Sequence, residues 1–330
     1  MVEFIKRRTF TFGLAAAASA PLLPSLASAQ QAWPAQAVKI VVPFPAGGSA
    51  DVLPRIVAEA LGPIWKQPIV IENKPGAGGN IGAEMVAVAK PDGYTLMAAP
   101  PPPIAINHNL YPKMNYDPTK FKPVTILGSA PNVIAVSNKS GIKSVQELIA
   151  RAKANPGKIN AANQGNGSTS HLTASMFEVM AGVKFNHVPY RGTAPALNDL
   201  LAGHVDLFFD NIASSLAQHQ SGTIRILAVC STERVEQLPD VQTVSEAGIK
   251  GFSAIAWFAI MAPEGTPDAV IAKINKDVVA VMKMPEVQKK FLNQAATPIA
   301  NSPQEAARFV ASETKLWGDV IKSANVRIAN

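Results

Sequence analysis

Two loops of this sequence combine glycines and hydroxyl side chains immediately before a helical pattern. In the first loop Gly47, Gly48 and Ser49 follow a short apolar run, and in the second Gly165 and Gly167 precede a Ser-Thr-Ser run. Such a helix start presents free backbone N–H groups and the positive end of a helix dipole, both of which favour an anion. Neither loop contains Lys or Arg, so no buried cation would be left unpaired when the anion leaves. The loops therefore predict reversible binding of a small acid, with an ordinary strand–helix turn as the alternative for either loop alone.

Catalytic and nucleotide-binding chemistry finds less support in the residue spacing. Gly76-x-Gly78 is followed by Ile81 where a dinucleotide fingerprint needs its third glycine, and no Lys-Ser/Thr pair follows as in a phosphate loop. Ser168 and His171 place a hydroxyl near an imidazole, which leaves a secreted hydrolase as an alternative, although Gly-x-Ser-x-Gly does not occur. The histidines lack metal-ligand spacing, and one cysteine cannot build a zinc site. We therefore expect no enzyme activity, no metal and no cofactor.

The elements that must position the two loops alternate between strands and helices. Apolar runs predict strands at 39–42, 69–73 and 94–99, and apolar residues at helical spacing follow each glycine loop. This alternation is typical of α/β units with mainly parallel sheets. The long apolar stretches 124–137 and 252–263 are interpreted as two crossings between lobes.

Capping residues indicate where several helices begin. Asp51 is expected to cap the first helix, because Pro54 costs little only within the first helical turn, where N–H groups lack partners anyway. Ser144 and Glu147 have the spacing of a capping box ahead of another helix. Further helical patterns run from about 268 to 295 and from 303 to 324.

Length and composition indicate an exported globular protein. At 330 residues, with 48% hydrophobic and 16% charged residues, the chain is long enough for two lobes. The formal net charge is +7, but the basic residues are scattered without interleaved aromatics, which argues against nucleic-acid binding. Residues 1–29 have the order of an export signal, since Arg7-Arg8 precede an apolar run that ends in Ala-Ser-Ala29. The arginine pair favours the twin-arginine route and leaves the Sec route open.

Several runs of residues also carry a family resemblance. The first loop reads Pro-Phe-x-x-Gly-Gly-x-x-Asp-x-x-x-Arg from Pro43 to Arg55, and Pro-Gly-Ala-Gly-Gly begins at Pro75. Gly-x-Gly-Ser-x-x-His-Leu begins at Gly165, and His-Val-Pro-Tyr-Arg-Gly-Thr-Ala-Pro begins at His187. Together these runs resemble the Bug family, the periplasmic solute receptors of tripartite tricarboxylate transporters.

The resemblance implies an α/β fold with two lobes, that of a type II periplasmic binding protein. Each lobe would be a mainly parallel sheet flanked by helices, with residues 30–125 and 255–330 in lobe 1, residues 126–254 in lobe 2, and two crossing strands as hinge. It implies a monomeric receptor in the periplasm, cleaved near Ala29, that captures a small carboxylate between the lobes and delivers it to the transporter's permease subunits. A receptor that serves a sensor protein is the alternative.

The ligand-binding residues are expected on the two glycine loops, on turns similar to the family's cleft edge and on the second crossing. Arg191 is the nearest cation, and His171 is equally interpreted as a structural residue of its helix start. The expected residues are Phe44, Ala46, Gly47, Gly48, Ser49, Asp51, Gly165, Gly167, Ser168, Thr169, Ser170, His171, Arg191, Asp210 and Trp257.

The run Pro100–Pro103 departs from the Gly/Thr-rich run that is usual in the family. Four prolines remove four N–H donors, so together with Phe44 and Trp257 they predict a largely apolar wall. An aromatic or largely apolar carboxylate should then bind better than citrate, whose hydroxyl group would be buried without a partner against such a wall. A stiff surface loop is the alternative for the proline run.

Overall fold

A computed structural model of the protein describes residue 1 and residues 33–327. The export signal predicted over residues 1–29, with its cleavage site, lies outside the described residues except for Met1. From Pro34 onward the chain forms one compact unit. In the described part of the chain, no helix combines the length and the apolar character needed to cross a membrane.

The first part of the chain forms three parallel strands and two helices. The strands are β1 (Val38–Val42), β2 (Ile69–Asn73) and β3 (Thr95–Ala99), and the helices are α1 (Ser49–Trp65) and α2 (Asn80–Ala87). Strand β1 lies between β2 and β3. Its apolar residues are almost wholly buried, as expected for a central strand covered on both faces. The carboxyl end of β1 leads directly into the first glycine loop.

Two long antiparallel strands form the centre of the molecule. They are β4 (Lys122–Ser137) and β9 (Ile255–Ala262), and they pair from Lys122 to Pro131 of β4. Beyond that point β4 continues and pairs instead with β7 (Leu207–Asn211) and β8 (Ile224–Val229). The remaining strands are β5 (Asn160–Asn163), β6 (Asn186–Pro189) and the short β10 (Thr297–Pro298). The strand order is β2-β1-β3-β9-β4-β7-β5-β6, with β8 and β10 also paired to β4. We call β1–β3, β9, β10 and the first ten residues of β4 the first half-sheet, and the remaining strands the second half-sheet.

The second half-sheet is built from the middle of the chain. Its strands are β5 (Asn160–Asn163), β6 (Asn186–Pro189), β7 (Leu207–Asn211) and β8 (Ile224–Val229). The helices that accompany them are α3 (Val145–Ala154), α4 (Thr169–Ala181), α5 (Thr193–Ala202) and α6 (Ile212–Gln220). The last part of the chain forms α7 (Asp268–Met282), α8 (Pro285–Asn293), β10 (Thr297–Pro298) and α9 (Pro303–Ser323). Each half-sheet has its own buried apolar cluster.

The structure differs from the sequence expectations in its sheet and in two helices. The α/β class is confirmed, but only the outer strands are parallel, because β4 and β9 run in opposite directions through the centre. The single helical pattern over 268–295 is two helices, since Pro285 has no N–H to continue the first. Helix α1 begins at Ser49 after a Gly48 cap, so Pro54 lies beyond the first turn and Asp51 is not the capping residue.

Candidate functional site

A cavity lies where the first glycine loop faces the loops of the second half-sheet. Its inner part encloses about 200 Å³ between residues 44–50 on one side and residues from 164 to 214 on the other. An adjoining outer part of about 640 Å³ extends past the turn at residues 75–79. Phe44, Gln164, Ser168 and Arg191 line both parts. The cavity therefore continues from an enclosed end towards a wider opening.

The first glycine loop presents unpaired backbone donors to the inner part of the cavity. The N–H groups of Asp51 and Val52 bond the Gly48 carbonyl, whereas those of Ser49 and Ala50 have no partner among the described residues. The buried Ser49 hydroxyl also lacks a partner. These donors lie at the positive end of the α1 dipole, where an anion is stabilised.

Asp51 holds the shape of this loop from behind. Its carboxylate accepts hydrogen bonds from Gly47 N (3.1 Å), Arg55 Nε (2.9 Å) and Asn73 Nδ2 (2.9 Å). Burial raises the pKa of Asp51, but the hydrogen bonds from Arg55, Asn73 and Gly47 outweigh it and hold the pKa below its ordinary value. Asn73 Nδ2 also donates to the carbonyl of Phe44 at 2.9 Å, which ties β2 to the loop. Asp51 thus positions the first glycine loop without lining the cavity.

The second glycine loop repeats this arrangement at the start of α4. Ser168 caps the helix, its Oγ accepting from His171 N at 3.2 Å. The Gly167 N–H donates to His171 Nδ1 at 3.1 Å. Burial, with a contribution from the neighbouring His187, lowers the pKa of His171 to about 4, so the ring is neutral at pH 7. His171 is therefore the structural residue of this helix start.

The same geometry bears on the hydrolase alternative. A serine nucleophile needs its hydroxyl bonded to a nitrogen of the base. Ser168 Oγ instead accepts a backbone N–H, and His171 Nδ1 accepts another, from Gly167. Within residues 33–327, Ser168 makes no hydrogen bond to an imidazole nitrogen. The arrangement of these two side chains is that of a cap rather than a catalytic pair.

Asp210 lies wholly buried behind the cavity wall. Its Oδ2 accepts from Ser215 Oγ (2.7 Å) and its Oδ1 from Gln164 Nε2 (2.9 Å). Burial raises the pKa of Asp210 to about 7, although these hydrogen bonds act in the opposite direction. Within the described residues, Asp210 is connected to the cavity surface through the side chain of Gln164.

Arg191 supplies a positive charge at the boundary between the two parts of the cavity. Its side chain is exposed, and it makes neither a hydrogen bond nor an ion pair with another residue of the described chain. The guanidinium is always protonated and can bind a carboxylate through two parallel N–H groups. It is thus available to an acidic ligand.

The structure brings nine of the fifteen predicted site residues to the cavity surface. They are Phe44, Ala46, Gly47, Gly48, Ser49, Gly165, Ser168, Thr169 and Arg191. The other six lie behind the walls or elsewhere in the described structure. They are Asp51, Gly167, Ser170, His171, Asp210 and Trp257.

The prediction that Trp257 lines the cavity is wrong. The Trp257 indole N–H donates to Glu313 of α9 at 2.8 Å, on the side of β9 that faces away from the cavity. The neighbouring Phe258 lines the cavity instead. Successive side chains of a strand point to opposite faces, so Phe258 faces the cavity and Trp257 faces α9.

Other lining residues were missed because they carry no motif of their own. Gln164 immediately precedes the glycines of the second loop, and Asn211 ends β7 at the edge where β5 also ends. Pro100 and Pro102 also line the cavity, and residues 100–103 are all buried, so the proline run is part of the wall rather than a surface loop. The shared edge of neighbouring strand ends was the available signal for Asn211.

Comparisons with known proteins agree on one family. The model of the family described as the tripartite tricarboxylate transporter family receptor matches residues 53–326. Protein BugT of Bordetella pertussis is 35% identical over 298 residues, which cover 90% of this chain and 91% of BugT. The solved structure of R. palustris Rpa4515 with adipate has a TM-score of 0.87 and 37% identity, covering 89% of this chain and 99% of its own. MatC from Rhodopseudomonas palustris with bound malate has a TM-score of 0.83 and 32% identity, covering 88% of this chain and 100% of MatC.

Proposed function

The chain belongs to the Bug family of tripartite tricarboxylate transporter receptors, and on that premise we propose that it captures a small carboxylate for such a transporter. The ligand would bind in the cavity between the two half-sheets. The loaded receptor would then deliver it to the membrane permease subunits.

The pairing of two helix starts across one cavity is the observation that carries this proposal. Ser49 and Ala50 present free N–H groups at the start of α1, and Thr169 lies at the start of α4 on the opposite wall. Each dipole stabilises a nearby anion by roughly 0.3–1 kcal/mol, and by more in partly buried geometries. Arg191 adds a charged donor at the boundary. These groups together suit one carboxylate at the enclosed end and a second acidic or polar group further out.

The remaining walls of the cavity support a ligand with an apolar body. Phe44, Pro100, Pro102, Leu197 and Phe258 line the inner part. Apolar contacts of this kind stabilise hydrocarbon groups by about 25 cal/mol for each Å² removed from water. Among the relatives, structures contain adipate or malate. We therefore keep the expectation that an aromatic or largely apolar acid binds this chain better than citrate.

Location, assembly and lack of catalysis are parts of the same proposal. The mature protein would act in the periplasm as a monomer, after twin-arginine or Sec export and cleavage near Ala29. The order of residues 1–29 supports export. The Ser168 cap supports a receptor without hydrolase activity, because its hydroxyl is not bonded to the imidazole of His171. Intact mass of the periplasmic protein tests the cleavage, and retention of residues 1–29 would contradict it.

A thermal-shift panel tests the carboxylate proposal directly. Benzoate, terephthalate, nicotinate, adipate, malate, glutamate and citrate are added in excess, and calorimetry follows for the acids that raise the unfolding midpoint. A ligand at a hundred times its dissociation constant should add about 2.7 kcal/mol of apparent stability. The proposal fails if no acid shifts the midpoint, and the apolar preference fails if citrate binds more tightly than the aromatic acids.

A further inference from the structure

A chain of hydrogen-bonded side chains runs through the second half-sheet and ends at the cavity wall. It links Thr173, Asn132, Asn211 and Gln164, and the last of these lines both parts of the cavity. Thr173 and Asn132 are wholly buried, and Asn211 is 8% exposed. Each buried amide must satisfy both its oxygen and its nitrogen. The direction of every bond in the chain can therefore be determined.

The inner end of the chain is fixed by a backbone carbonyl. Thr173 Oγ1 donates its single proton to the Thr169 carbonyl at 2.7 Å. It must then accept from Asn132 Nδ2, which lies 2.6 Å away. Asn132 Oδ1 accepts in turn from Asn211 Nδ2 at 2.6 Å, so the Asn211 oxygen is directed at Gln164.

The outer end of the chain is fixed by a second, independent acceptor. Gln164 Nε2 lies 3.2 Å from Asn211 Oδ1 and 2.9 Å from Asp210 Oδ1. Both protons of the amide nitrogen are thereby used. A reversed amide would place Gln164 Oε1 against Asn211 Oδ1, an amide oxygen that has no proton to donate, which is unfavourable. The nitrogen of Gln164 therefore faces the protein, and Oε1 is its remaining polar atom, with no partner among the described residues.

We propose that Gln164 Oε1 is a specificity-determining acceptor, and that the ligand is a carboxylic acid with a hydroxyl group that donates to it. This inference rests on the proposed function, because it names the class of acid that the same cavity takes. The N–H groups of the helix starts and Arg191 are donors only, and the hydroxyls of the cavity can donate as well as accept. An acid without a donor would cover Gln164 Oε1 and leave a desolvated acceptor unpaired, which is costly.

The surrounding charge favours a hydroxyl over an ammonium group as the donor. The starts of α1 and α4 both direct their positive dipole ends to the cavity, and Arg191 adds a full positive charge. A cationic ammonium would be repelled by all three. A neutral hydroxyl meets the acceptor without this repulsion. Since one acceptor satisfies one donor, an acid with a single hydroxyl fits better than a polyhydroxylated acid.

Calorimetry with matched pairs of acids tests this inference. The pairs are mandelate with phenylacetate and malate with succinate, since each differs by one hydroxyl; aspartate is the ammonium counterpart of malate. In the wild-type protein the hydroxy acid of a pair that binds should bind about tenfold more tightly than its partner. Aspartate should bind more weakly than malate.

Two glutamine variants test whether Gln164 causes the preference for a hydroxy acid. Gln164→Met removes the acceptor while keeping a side chain of similar length, so the ratio within a pair should fall to nearly one. Gln304→Met, on the exposed first turn of α9, is the matched control and should keep the wild-type ratio. If Gln164→Met does not fold, the wild-type ratios still decide the outcome.

The outcomes separate this inference from the proposed function. Equal affinities within both pairs, or a tenfold ratio that persists in Gln164→Met, overturn the hydroxyl preference while carboxylate capture stands. Tighter binding of aspartate than of malate overturns the choice of a neutral donor. Binding of none of these acids overturns both the proposed function and this inference.

Discussion

Gly47 and Gly48 are adjacent in the sequence but have different backbone requirements. Gly47 has φ of 93°, in the left-handed region, whereas Gly48 has φ of −90° and room for a side chain. We predict that Gly47→Val strains the loop by about 1–3 kcal/mol and weakens ligand binding. Calorimetry and thermal unfolding measure the two effects.

The matched control for Gly47→Val is Gly222→Val. Gly222 also has positive φ, 74°, and lies in open space far from the cavity, between α6 and β8. Its substitution should lower stability by a similar amount and leave affinity unchanged. Wild-type affinity in Gly47→Val would remove this residue from the site.

Asp51→Asn tests whether the carboxylate organises the first loop. The variant keeps the shape of the side chain but loses the charge that accepts from Gly47, Arg55 and Asn73. We predict a loss of about 1–3 kcal/mol in the free energy of unfolding at pH 7. Because the folded protein holds the pKa of Asp51 below its ordinary value of 3.8, this contribution is present above that pH and is lost as the pH falls below it. Urea unfolding of both proteins at pH 7 and pH 3 measures the difference.

Asp319→Asn serves as the control for that measurement. Asp319 pairs with Lys315 on the exposed face of α9, and surface pairs of this kind contribute little. Equal stability losses in the two variants at pH 7 would contradict the role given to Asp51.

Single residues were predictable from the sequence where a glycine or hydroxyl motif marked them. Ser49, Ser168 and Arg191 lie on the cavity as expected. The placement of Trp257 failed because an apolar strand buried on both faces shows no alternation that would tell its two sides apart. The packing of β9 in the folded protein shows that Phe258 faces the cavity and Trp257 faces α9.

The start of α4 combines a helix cap with a wall of the cavity. Ser168→Ala removes the hydroxyl oxygen that accepts a hydrogen bond from His171 N at the start of α4. We predict a loss of about 1 kcal/mol in the free energy of unfolding. Since Ser168 also lines both parts of the cavity, ligand affinity should fall as well. Chemical denaturation and calorimetry measure the two quantities.

Ser144→Ala is the matched control for the cap of α4. Ser144 caps α3 in the same way, accepting from Glu147 N at 3.1 Å, and does not line the cavity. It should reproduce the loss of stability without the loss of affinity. If both variants keep wild-type affinity, the hydroxyl of Ser168 makes no contribution to binding.

Acidification should loosen the second loop through His171. Its pKa is about 4 in the folded protein against an ordinary value of 6.5, so the neutral ring is favoured on folding. The stability it contributes is complete above pH 6.5 and is lost as the pH falls towards 4, by on the order of 2 kcal/mol. His171→Asn keeps an acceptor near Nδ1 without titrating, so its unfolding free energy should depend less on pH over this window. Urea titrations of both proteins from pH 4 to 7 measure the difference.

Asp210 also titrates, so the pH dependence of the wild-type protein alone does not isolate the effect of His171. The pKa of Asp210 is raised to about 7, so its contribution is complete below its ordinary value of 3.8 and is lost as the pH rises through 7, opposite in sign to that of His171. Subtracting the His171→Asn profile from the wild-type profile removes the Asp210 effect. Identical profiles would show that Gly167 does not depend on a neutral imidazole.

Element boundaries followed from local signals except where backbone conformation decided them. Ser144 and Ser168 marked α3 and α4 correctly, since a cap side chain is visible in the sequence. Helix α1 begins after a glycine, and its Asp51 bonds backward to the loop instead of capping. The residue types alone do not distinguish an aspartate that caps a helix from one that accepts hydrogen bonds from the preceding loop.

Closure around the ligand is the prediction for the whole molecule. The two half-sheets share β4, and the chain passes between them a second time near Ala254 and Ile255. We predict that these crossings form a hinge between lobes, and that a bound acid favours the closed arrangement. Small-angle scattering should show a smaller radius of gyration with saturating ligand, and Gly47→Val should need a higher ligand concentration for the same change. An unchanged radius in the wild-type protein would indicate a rigid receptor.

The α/β class was readable from alternating strands and helices, but the order of the strands was not. Strand β3 pairs with β9, which lies more than a hundred residues further along the chain. Neither periodicity nor turn residues carry information on a pairing so remote in sequence. The antiparallel centre of the sheet therefore had to come from the structure.

The position of β9 between β3 and β4 determines the order in which the chain can fold. Residues 138–229 contain all of β5–β8 and can pair with the end of β4 soon after they emerge from the ribosome. The first half-sheet forms later, because β3 and β4 are joined only when β9 inserts between them. Until then both strands expose unpaired edges, which are sites of misassociation. A nascent or truncated chain that stops before Ile255 should therefore depend on chaperones, although β1–β3 have already been synthesised.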